Sequence, residues 1–155
     1  MKQIKLTQGK VALVDNEDFE YLNQWKWFFD GKYAGRREKT GEKEIFMHRF
    51  INNTPQGFLT DHINRNKLDN RRINLRTVTY QQNQFNRNLS KNSSSGYMGV
   101  NWDKFNNKWL SRIKINDKLL NLGRFSDIKD AIKTREKAEK IYFGEFRRGA
   151  LPSTL

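Results

Sequence analysis

The sequence predicts an α+β protein made of two small domains, and three observations lead to this prediction. Hydrophobic residues make up only 35% of the 155 residues, which favours two small cores over one large one. Short strand patterns bounded by glycine turns occur in both halves of the chain. A polar stretch of small residues, ending in Ser93-Ser94-Ser95, separates the two halves.

These boundaries predict five segments along the chain. They are a lead-in at residues 1–44, a first core at residues 45–90, a linker at residues 91–95, a second domain at residues 96–146 and a tail at residues 147–155. Counting Lys and Arg against Asp and Glu gives 17 − 10 = +7 before Ser93 and 13 − 7 = +6 from Ser93 onward. We therefore expect both halves to contact the same polyanion.

The charge of the chain indicates a nucleic-acid partner. The net charge is +13 and the isoelectric point is about 10.1. Self-repulsion of this size destabilises a compact protein, and binding a polyanion offsets it. A membrane surface is the competing partner, but no strongly apolar amphipathic anchor accompanies the charge. Cysteine is absent, which excludes disulfides and zinc–thiolate sites, and no apolar run is long enough to span a bilayer. We expect a soluble cytoplasmic protein.

Turn signals in the first half predict two hairpins and a helix. Thr7-Gln8-Gly9 lies between strand patterns at residues 4–6 and 10–14, and Asp30-Gly31 lies between patterns at residues 25–29 and 32–36. Asp15 follows the first hairpin as a candidate N-cap, with acidic residues in the next turn. These elements form the lead-in.

The second half has a different pattern. Strands are predicted at residues 98–103, 109–115 and 119–125, and apolar residues at helical spacing follow from Ile128 until Gly144. Strand alternation directs Val100, Trp102, Trp109, Ile113, Ile115, Leu120 and Leu122 toward this helix. The candidate DNA contacts of this half are Asn101, Arg112, Lys114, Asn121 and Arg124.

The chemically informative region is the later part of the first half, within the first core at residues 45–90. Asp61 and His62 close a predicted strand at residues 58–62, and a second strand is predicted at residues 75–78. Thr79 caps a helix that begins at Tyr80, and Gln82 completes a capping box. The order is therefore strand, loop, strand and helix, with Asn83 on the first turns of the helix.

These residue types suit phosphodiester hydrolysis. His62 has the pKa range of a general base, while Asp61 and Asn83 offer the oxygen ligands that Mg²⁺ or Mn²⁺ prefers. Asn74 either accepts a hydrogen bond from the imidazole or braces the loop. The candidate phosphate contacts near the cut are Arg71, Arg72 and Arg76. His48 lies among Phe46, Met47 and Phe50 and is interpreted as a packed histidine rather than a phosphate contact.

Asp61-His62, Asn74 and Asn83 resemble the motif of the HNH endonucleases. They are most similar to the homing endonucleases of phage introns, in which the last histidine of the name is an asparagine. The similarity covers roughly residues 45–88 and includes Met47-His48-Arg49. It implies a ββα-metal fold, one divalent metal ion per active site, and cleavage that leaves 5′-phosphate and 3′-hydroxyl ends.

The C-terminal part resembles an Apetala-type (ethylene-response-factor) DNA-binding domain over about residues 95–146. The matching residues are Gly96-Tyr97-Met98-Gly99-Val100, Lys108-Trp109, Arg112-Ile113-Lys114 and Leu122-Gly123-Arg124-Phe125. Met98 and Asp103 stand where the family commonly has basic residues. Such domains also accompany HNH nucleases in phage and bacterial homing enzymes.

Together these observations predict a site-specific, metal-dependent endonuclease that acts on double-stranded DNA as a monomer or weak dimer, without a membrane or small-molecule cofactor. A non-catalytic DNA-binding regulator is the alternative, and the complete Asp61, His62, Asn74 and Asn83 set argues against it. An RNA-binding protein is a third hypothesis, which the lack of an aromatic stacking motif on the outer sheet face disfavours.

Overall fold

The computed structural model describes residues 1–39, 43–89 and 93–149. The protein is a mixed α/β molecule with small antiparallel sheets. The strands are β1 (Lys2–Lys5), β2 (Val11–Val14), β3 (Phe28–Phe29), β4 (Ala34–Arg36), β5 (Ile45–Phe46), β6 (Leu59–His62), β7 (Leu75–Val78), β8 (Val100–Asp103), β9 (Lys108–Ile115) and β10 (Lys118–Phe125). The α-helices are α1 (Asn16–Leu22), α2 (Met47–Ile51), α3 (Tyr80–Phe85) and α4 (Ile128–Tyr142). Within the described residues, no helix is long and apolar enough to cross a membrane.

The chain divides into two compact units, and the division falls between Asn83 and Gln84. This boundary lies inside α3, several residues before the linker predicted at residues 91–95. The boundary comes before Phe85 because this residue packs with the second unit: its ring stacks on that of Phe143 at a centroid distance of 3.8 Å. Residues 90–92 and the tail beyond residue 149 lie outside the described residues.

One hydrophobic core unites the first unit. Ile4, Val14 and Leu22 from the N-terminal segment are buried in the same cluster as Met47 and Leu75. The predicted lead-in is therefore not a separate appendage in this unit: its hairpin and helix supply much of the core, since α2, β6 and β7 are too short to bury a core alone.

Both predicted hairpins of the first unit form, but the strands of the second are shorter than the predicted 25–29 and 32–36, and residues 30–33 make its turn. β1 pairs antiparallel with β2, and β3 pairs with β4, which in turn pairs with β5. Asp30 shapes the second turn, because its side chain accepts hydrogen bonds from the backbone N–H groups of Lys32 and Tyr33. Asp15 occupies the N-cap position of α1 as predicted, although its side chain bonds to the Arg72 backbone and not to the helix.

The strand–loop–strand–helix order predicted around Asp61 is also confirmed. β6 and β7 pair antiparallel, and α3 begins at Tyr80. The capping box is formed in both directions: Thr79 N donates to Gln82 Oε1 at 2.8 Å, and Gln82 N donates to Thr79 Oγ1 at 3.2 Å. Local hydrogen bonds therefore fix where this helix starts.

The second unit consists of a three-stranded antiparallel sheet in the order β10-β9-β8 and helix α4. Val100, Ser111 and Ile113 are buried on one face, against α4. Trp102 and Leu120, which alternation assigns to this face, remain 40% and 38% exposed. The helix thus covers the middle of the face and leaves its margins in contact with solvent.

Gly99 allows a test of this packing. Its φ angle is +75°, and a Cβ atom there would collide with the backbone carbonyl of Arg112 and the Arg135 guanidinium. We expect Gly99→Ala to lower the free energy of unfolding by about 1–2 kcal/mol for the left-handed backbone and by about 1–3 kcal/mol more for overpacking. Urea unfolding followed by circular dichroism measures the change.

Gly96 is the matched control. Its φ angle is +66°. Apart from its two chain neighbours, no described residue would lie within 4 Å of a Cβ atom added at this position. Gly96→Ala should carry the backbone strain alone. Equal losses for the two alanine variants would contradict the close packing of Gly99 on β9.

Candidate active site

The end of β6 carries the two residues at the centre of the site. Asp61 is 2% exposed and His62 is fully buried. The antiparallel register places Asp61 opposite Arg76 and His62 opposite Leu75 on β7. Neighbouring residues of a strand point to opposite faces of a sheet, so the two side chains have different surroundings.

Arg76 forms an ion pair with Asp61. Its Nε and Nη2 atoms donate to Asp61 Oδ2 at 3.0 and 2.8 Å, and the Arg76 side chain is only 12% exposed. The sequence suggested that Arg76 grips a phosphate, but in the folded protein its guanidinium is turned inward against this carboxylate. A buried carboxylate needs such a partner because desolvation penalises its charge.

Asn70 is the hydrogen-bond partner of the His62 imidazole. The distance between His62 Nε2 and Asn70 Oδ1 is 3.0 Å, and Asn70 is fully buried. The amide nitrogen of Asn70 donates to the Met47 sulfur at 3.2 Å. Neither contact is foreseeable from the sequence, because Asn70 looks like one of many loop asparagines.

Asn74 braces the loop between β6 and β7, which is one of the two roles the sequence left open. Its Oδ1 accepts a hydrogen bond from the Asn64 backbone, and its Nδ2 donates to the Asp69 carbonyl at 2.7 Å. Asn74 is 5% exposed. It thus connects both ends of the loop that carries Asn70.

His48 packs beside His62. Its ring centroid lies 5.1 Å from that of His62 and 4.6 Å from that of Tyr33. His48 is 6% exposed, and its Nδ1 has no hydrogen-bond partner among the described residues. This is a packed histidine, as its apolar neighbours in the sequence suggested.

Burial controls the protonation of both imidazoles. Loss of solvent lowers the pKa of His62 from 6.5 to about 4, although the hydrogen bond to Asn70 acts in the opposite direction. Burial, followed by the proximity of His62, lowers the pKa of His48 to about 3. Both rings are therefore neutral near pH 7, so His62 has a lone pair with which to accept a proton.

Lys67 is a cation that the sequence reasoning missed. It lies half-buried in the loop after His62, with its Nζ 6.0 Å from the centroid of the Tyr33 ring. Burial lowers the pKa of Lys67, while the nearby Asp61 raises it. Its position in a polar loop directly after Asp-His was the one available signal.

Asn83 is half-buried on α3, and its backbone N–H donates to the Thr79 carbonyl at 3.0 Å. Among the described residues, no group of three His, Cys, Asp or Glu side chains is arranged to hold a metal ion. A carboxylate and an amide oxygen, such as Asp61 and Asn83 offer, nevertheless fit Mg²⁺, which keeps several water ligands and adds substrate phosphate.

The two other candidate phosphate contacts are also paired with carboxylates. Arg71 donates to both oxygens of Asp69 at 2.7 Å, and Arg72 donates to both oxygens of Asp18 at 2.9 and 2.6 Å. These bonds raise the pKa of each arginine. Both side chains remain partly exposed, at 33% and 54%.

The candidate DNA contacts of the second unit share the sheet face opposite α4. Alternation along β9 puts Arg112 and Lys114 on this face, and the register adds Asn121 opposite Arg112. Asn101 and Arg124 both pair with Leu110 of the same face. Lys114 pairs with Asp117, and Arg124 pairs with Asp103, so two of these cations already have acidic neighbours.

Comparison with known proteins identifies the family. The profile of the HNH endonuclease family matches residues 53–85. An uncharacterized HNH endonuclease of Acanthamoeba polyphaga mimivirus is 34% identical over 152 residues, covering 90% of this chain and 74% of that protein. The chain belongs to the HNH endonucleases. Protein 3.8 of Escherichia phage T7 is 28% identical over 94 residues, covering 61% of this chain and 77% of that protein. No solved structure matches the chain significantly.

The HNH profile covers the site just described. Residues 53–85 run from before β6 to the end of α3 and contain Asp61, His62, Asn70, Asn74 and Asn83. Family membership makes the protein a nuclease and implies DNA as its substrate. HNH nucleases in general use a divalent metal ion, and the oxygen donors of Asp61 and Asn83 are compatible with one.

The ion pair between Arg76 and Asp61 predicts a large stability effect. Arg76→Met keeps most of the side-chain volume but removes the guanidinium that faces a nearly buried carboxylate. Breaking a buried pair from one side costs about 3–5 kcal/mol. We therefore expect urea unfolding of Arg76→Met to give a free energy of unfolding lower by about this amount.

Arg72→Met is the matched control, since it breaks the pair of Asp18 with a side chain that is 54% exposed. Because the Arg72 end of this pair is open to solvent, although Asp18 is only 14% exposed, we expect a smaller loss, of about 1 kcal/mol. The double variant Asp61→Asn with Arg76→Met should recover part of the loss. If Arg76→Met costs no more than Arg72→Met, the buried pair does not stabilise the fold.

Proposed function

We propose that this protein is a site-specific, Mg²⁺-dependent DNA endonuclease of the phage homing type, with His62 as its general base. The observation that carries the proposal is the position of Asp61 and His62 at the end of β6, where each has a dedicated polar partner. Asp61 faces Arg76, and His62 faces Asn70. Buried polar groups with such partners are held in one orientation, as a catalytic group must be.

His62, Lys67 and Arg76 have different roles in the proposed reaction. His62 accepts the proton of the attacking water, because its neutral ring has one unprotonated nitrogen. Lys67, half-buried beside Asp61, contributes positive charge near the phosphate. Arg76 balances the charge of Asp61 before substrate binds.

Asp61 and Asn83 would hold the metal ion. Bound there, it would supply positive charge to the phosphate and to the departing 3′ oxygen. Mn²⁺ is expected to replace Mg²⁺, because both prefer oxygen ligands.

The second unit would act as the DNA reader. We propose that it is an Apetala-type domain whose exposed sheet face enters the major groove, with Arg112 and Asn121 side by side across β9 and β10. Because the relatives named above are encoded by viruses, we propose that the enzyme acts in the cytoplasm of a host cell, as a monomer or weak dimer.

Plasmid cleavage tests the catalytic proposal. His62→Ala should lower the single-turnover rate by a factor of about 10²–10⁴, the usual contribution of a general base, and leave DNA affinity nearly unchanged. Asp61→Ala and Asn83→Ala should raise the Mg²⁺ concentration needed for half-maximal rate, with the larger effect for Asp61 because it removes a charge.

Gln56→Ala, at an exposed position before β6, serves as the control and should cut at the wild-type rate. Cleavage in excess EDTA would contradict metal dependence. Wild-type cleavage by His62→Ala would remove the histidine from the mechanism. If no DNA substrate is cut and binding is retained, the chain works as the DNA-binding regulator instead.

Substitution of Arg112 tests whether the second unit recognises the DNA sequence. If Arg112 pairs with a base, Arg112→Ala should weaken binding by about 1–3 kcal/mol at the target site and much less on other sequences. Lys133→Ala, exposed on α4 away from this face, should leave binding unchanged. If Arg112→Ala weakens binding equally on all DNA sequences, and the slope of the log binding constant against log salt concentration falls in magnitude by about one, Arg112 contacts phosphate only.

A further inference from the structure

The His62 imidazole has one nitrogen whose role is settled by its neighbour. His62 Nε2 lies 3.0 Å from Asn70 Oδ1, and a carbonyl oxygen only accepts hydrogen bonds. Nε2 must therefore carry the hydrogen. In a neutral imidazole, the lone pair is then on Nδ1, an atom that is buried and that water must reach when the substrate binds.

The amide of Asn70 is itself oriented. Its Nδ2 donates to the Met47 sulfur at 3.2 Å, and the reverse orientation would set the amide oxygen against the lone pairs of a thioether. Asn70 is fully buried, so no solvent competes for either bond. Met47 is fully buried as well, in the core of the first unit.

The backbone of Asn70 is anchored to the N-terminal hairpin. Asn70 N donates to the Leu13 carbonyl at 2.8 Å, and Leu13 N donates to the Leu68 carbonyl at 2.8 Å, so β2 and the loop form a short parallel bridge. Ala12 and Val14, on either side of Leu13, are fully buried. The strand therefore cannot shift without disturbing the core.

We propose that Asn70 is a positioning residue for catalysis: its amide oxygen holds His62 as the Nε2–H tautomer, leaving Nδ1 to take the proton from water, and strand β2 holds Asn70 in place. The inference rests on the proposed role of His62 as general base. During the reaction, the water proton moves to Nδ1, while Nε2 keeps its hydrogen and its bond to Asn70. The resulting imidazolium is stabilised by the same amide oxygen.

Nitrogen-15 NMR of the full-length protein tests the tautomer directly. The chain has only two histidines, so a His48→Phe variant identifies the signals of His62. We expect the neutral ring of wild-type His62 to carry its hydrogen on Nε2, because that nitrogen faces Asn70 Oδ1. A hydrogen on Nδ1 would overturn the proposal without any substitution at Asn70.

Kinetics test the consequence. Asn70→Leu removes the amide at similar volume, and its single-turnover rate should fall about 10- to 100-fold, as when other supporting partners are lost, with unchanged DNA affinity. Asn70→Asp keeps an acceptor oxygen at the same place and should restore most of the rate. Gln56→Leu, at an exposed position before β6, is the control. All rates are compared below the unfolding temperature of each variant.

The outcomes separate this inference from the proposed function. If His62→Ala is inactive but Asn70→Leu cuts at the wild-type rate, His62 is the base and Asn70 does not position it. If Asn70→Asp is as slow as Asn70→Leu, the acceptor oxygen is not what matters, and the positioning role is excluded. If His62→Ala cuts normally, the proposed function itself fails.

Discussion

The antiparallel pairing of β6 with β7 is the constraint on which the rest of the site depends. It sets Asp61 directly opposite Arg76. A shift of one strand by one residue would turn its side chains to the other face of the sheet, which would separate the carboxylate from this cation. The loop that closes this pair carries Asn70 and is braced by Asn74, so the register also determines what the His62 imidazole meets.

The N-terminal segment supports the site that it precedes. Through Leu13, strand β2 holds the backbone of Asn70, and its neighbours fill the core beneath. The segment that the HNH profile matches, residues 53–85, is therefore incomplete as a physical unit. With a helix of six residues and two strands of four, it needs the hairpin to exclude water from its polar groups.

Part of the positive charge of the first unit is neutralised by ion pairs within that unit. Arg71, Arg72 and Arg76 each pair with a carboxylate of the same unit. An arginine held in this way positions loops and catalytic groups, and a phosphate must compete with its carboxylate partner. Lys67 lies half-buried beside Asp61, close to the candidate site.

The sequence by itself determined the features that depend on near neighbours in the chain. Glycine and Asp-Gly turns fixed the hairpins, the Thr79–Gln82 capping box fixed the start of α3, and periodicity fixed α4. The pair Asp61-His62 was also singled out as the candidate site, because its residue types suit the proposed chemistry. The tertiary structure alone decided that Asn70 rather than Asn74 bonds the imidazole, that Arg76 turns inward, and that α3 contributes Phe85 to the second unit. These outcomes depend on side chains brought together from distant positions, such as Met47 and Asn70, and burial then forces each polar atom to find a partner that no local pattern specifies.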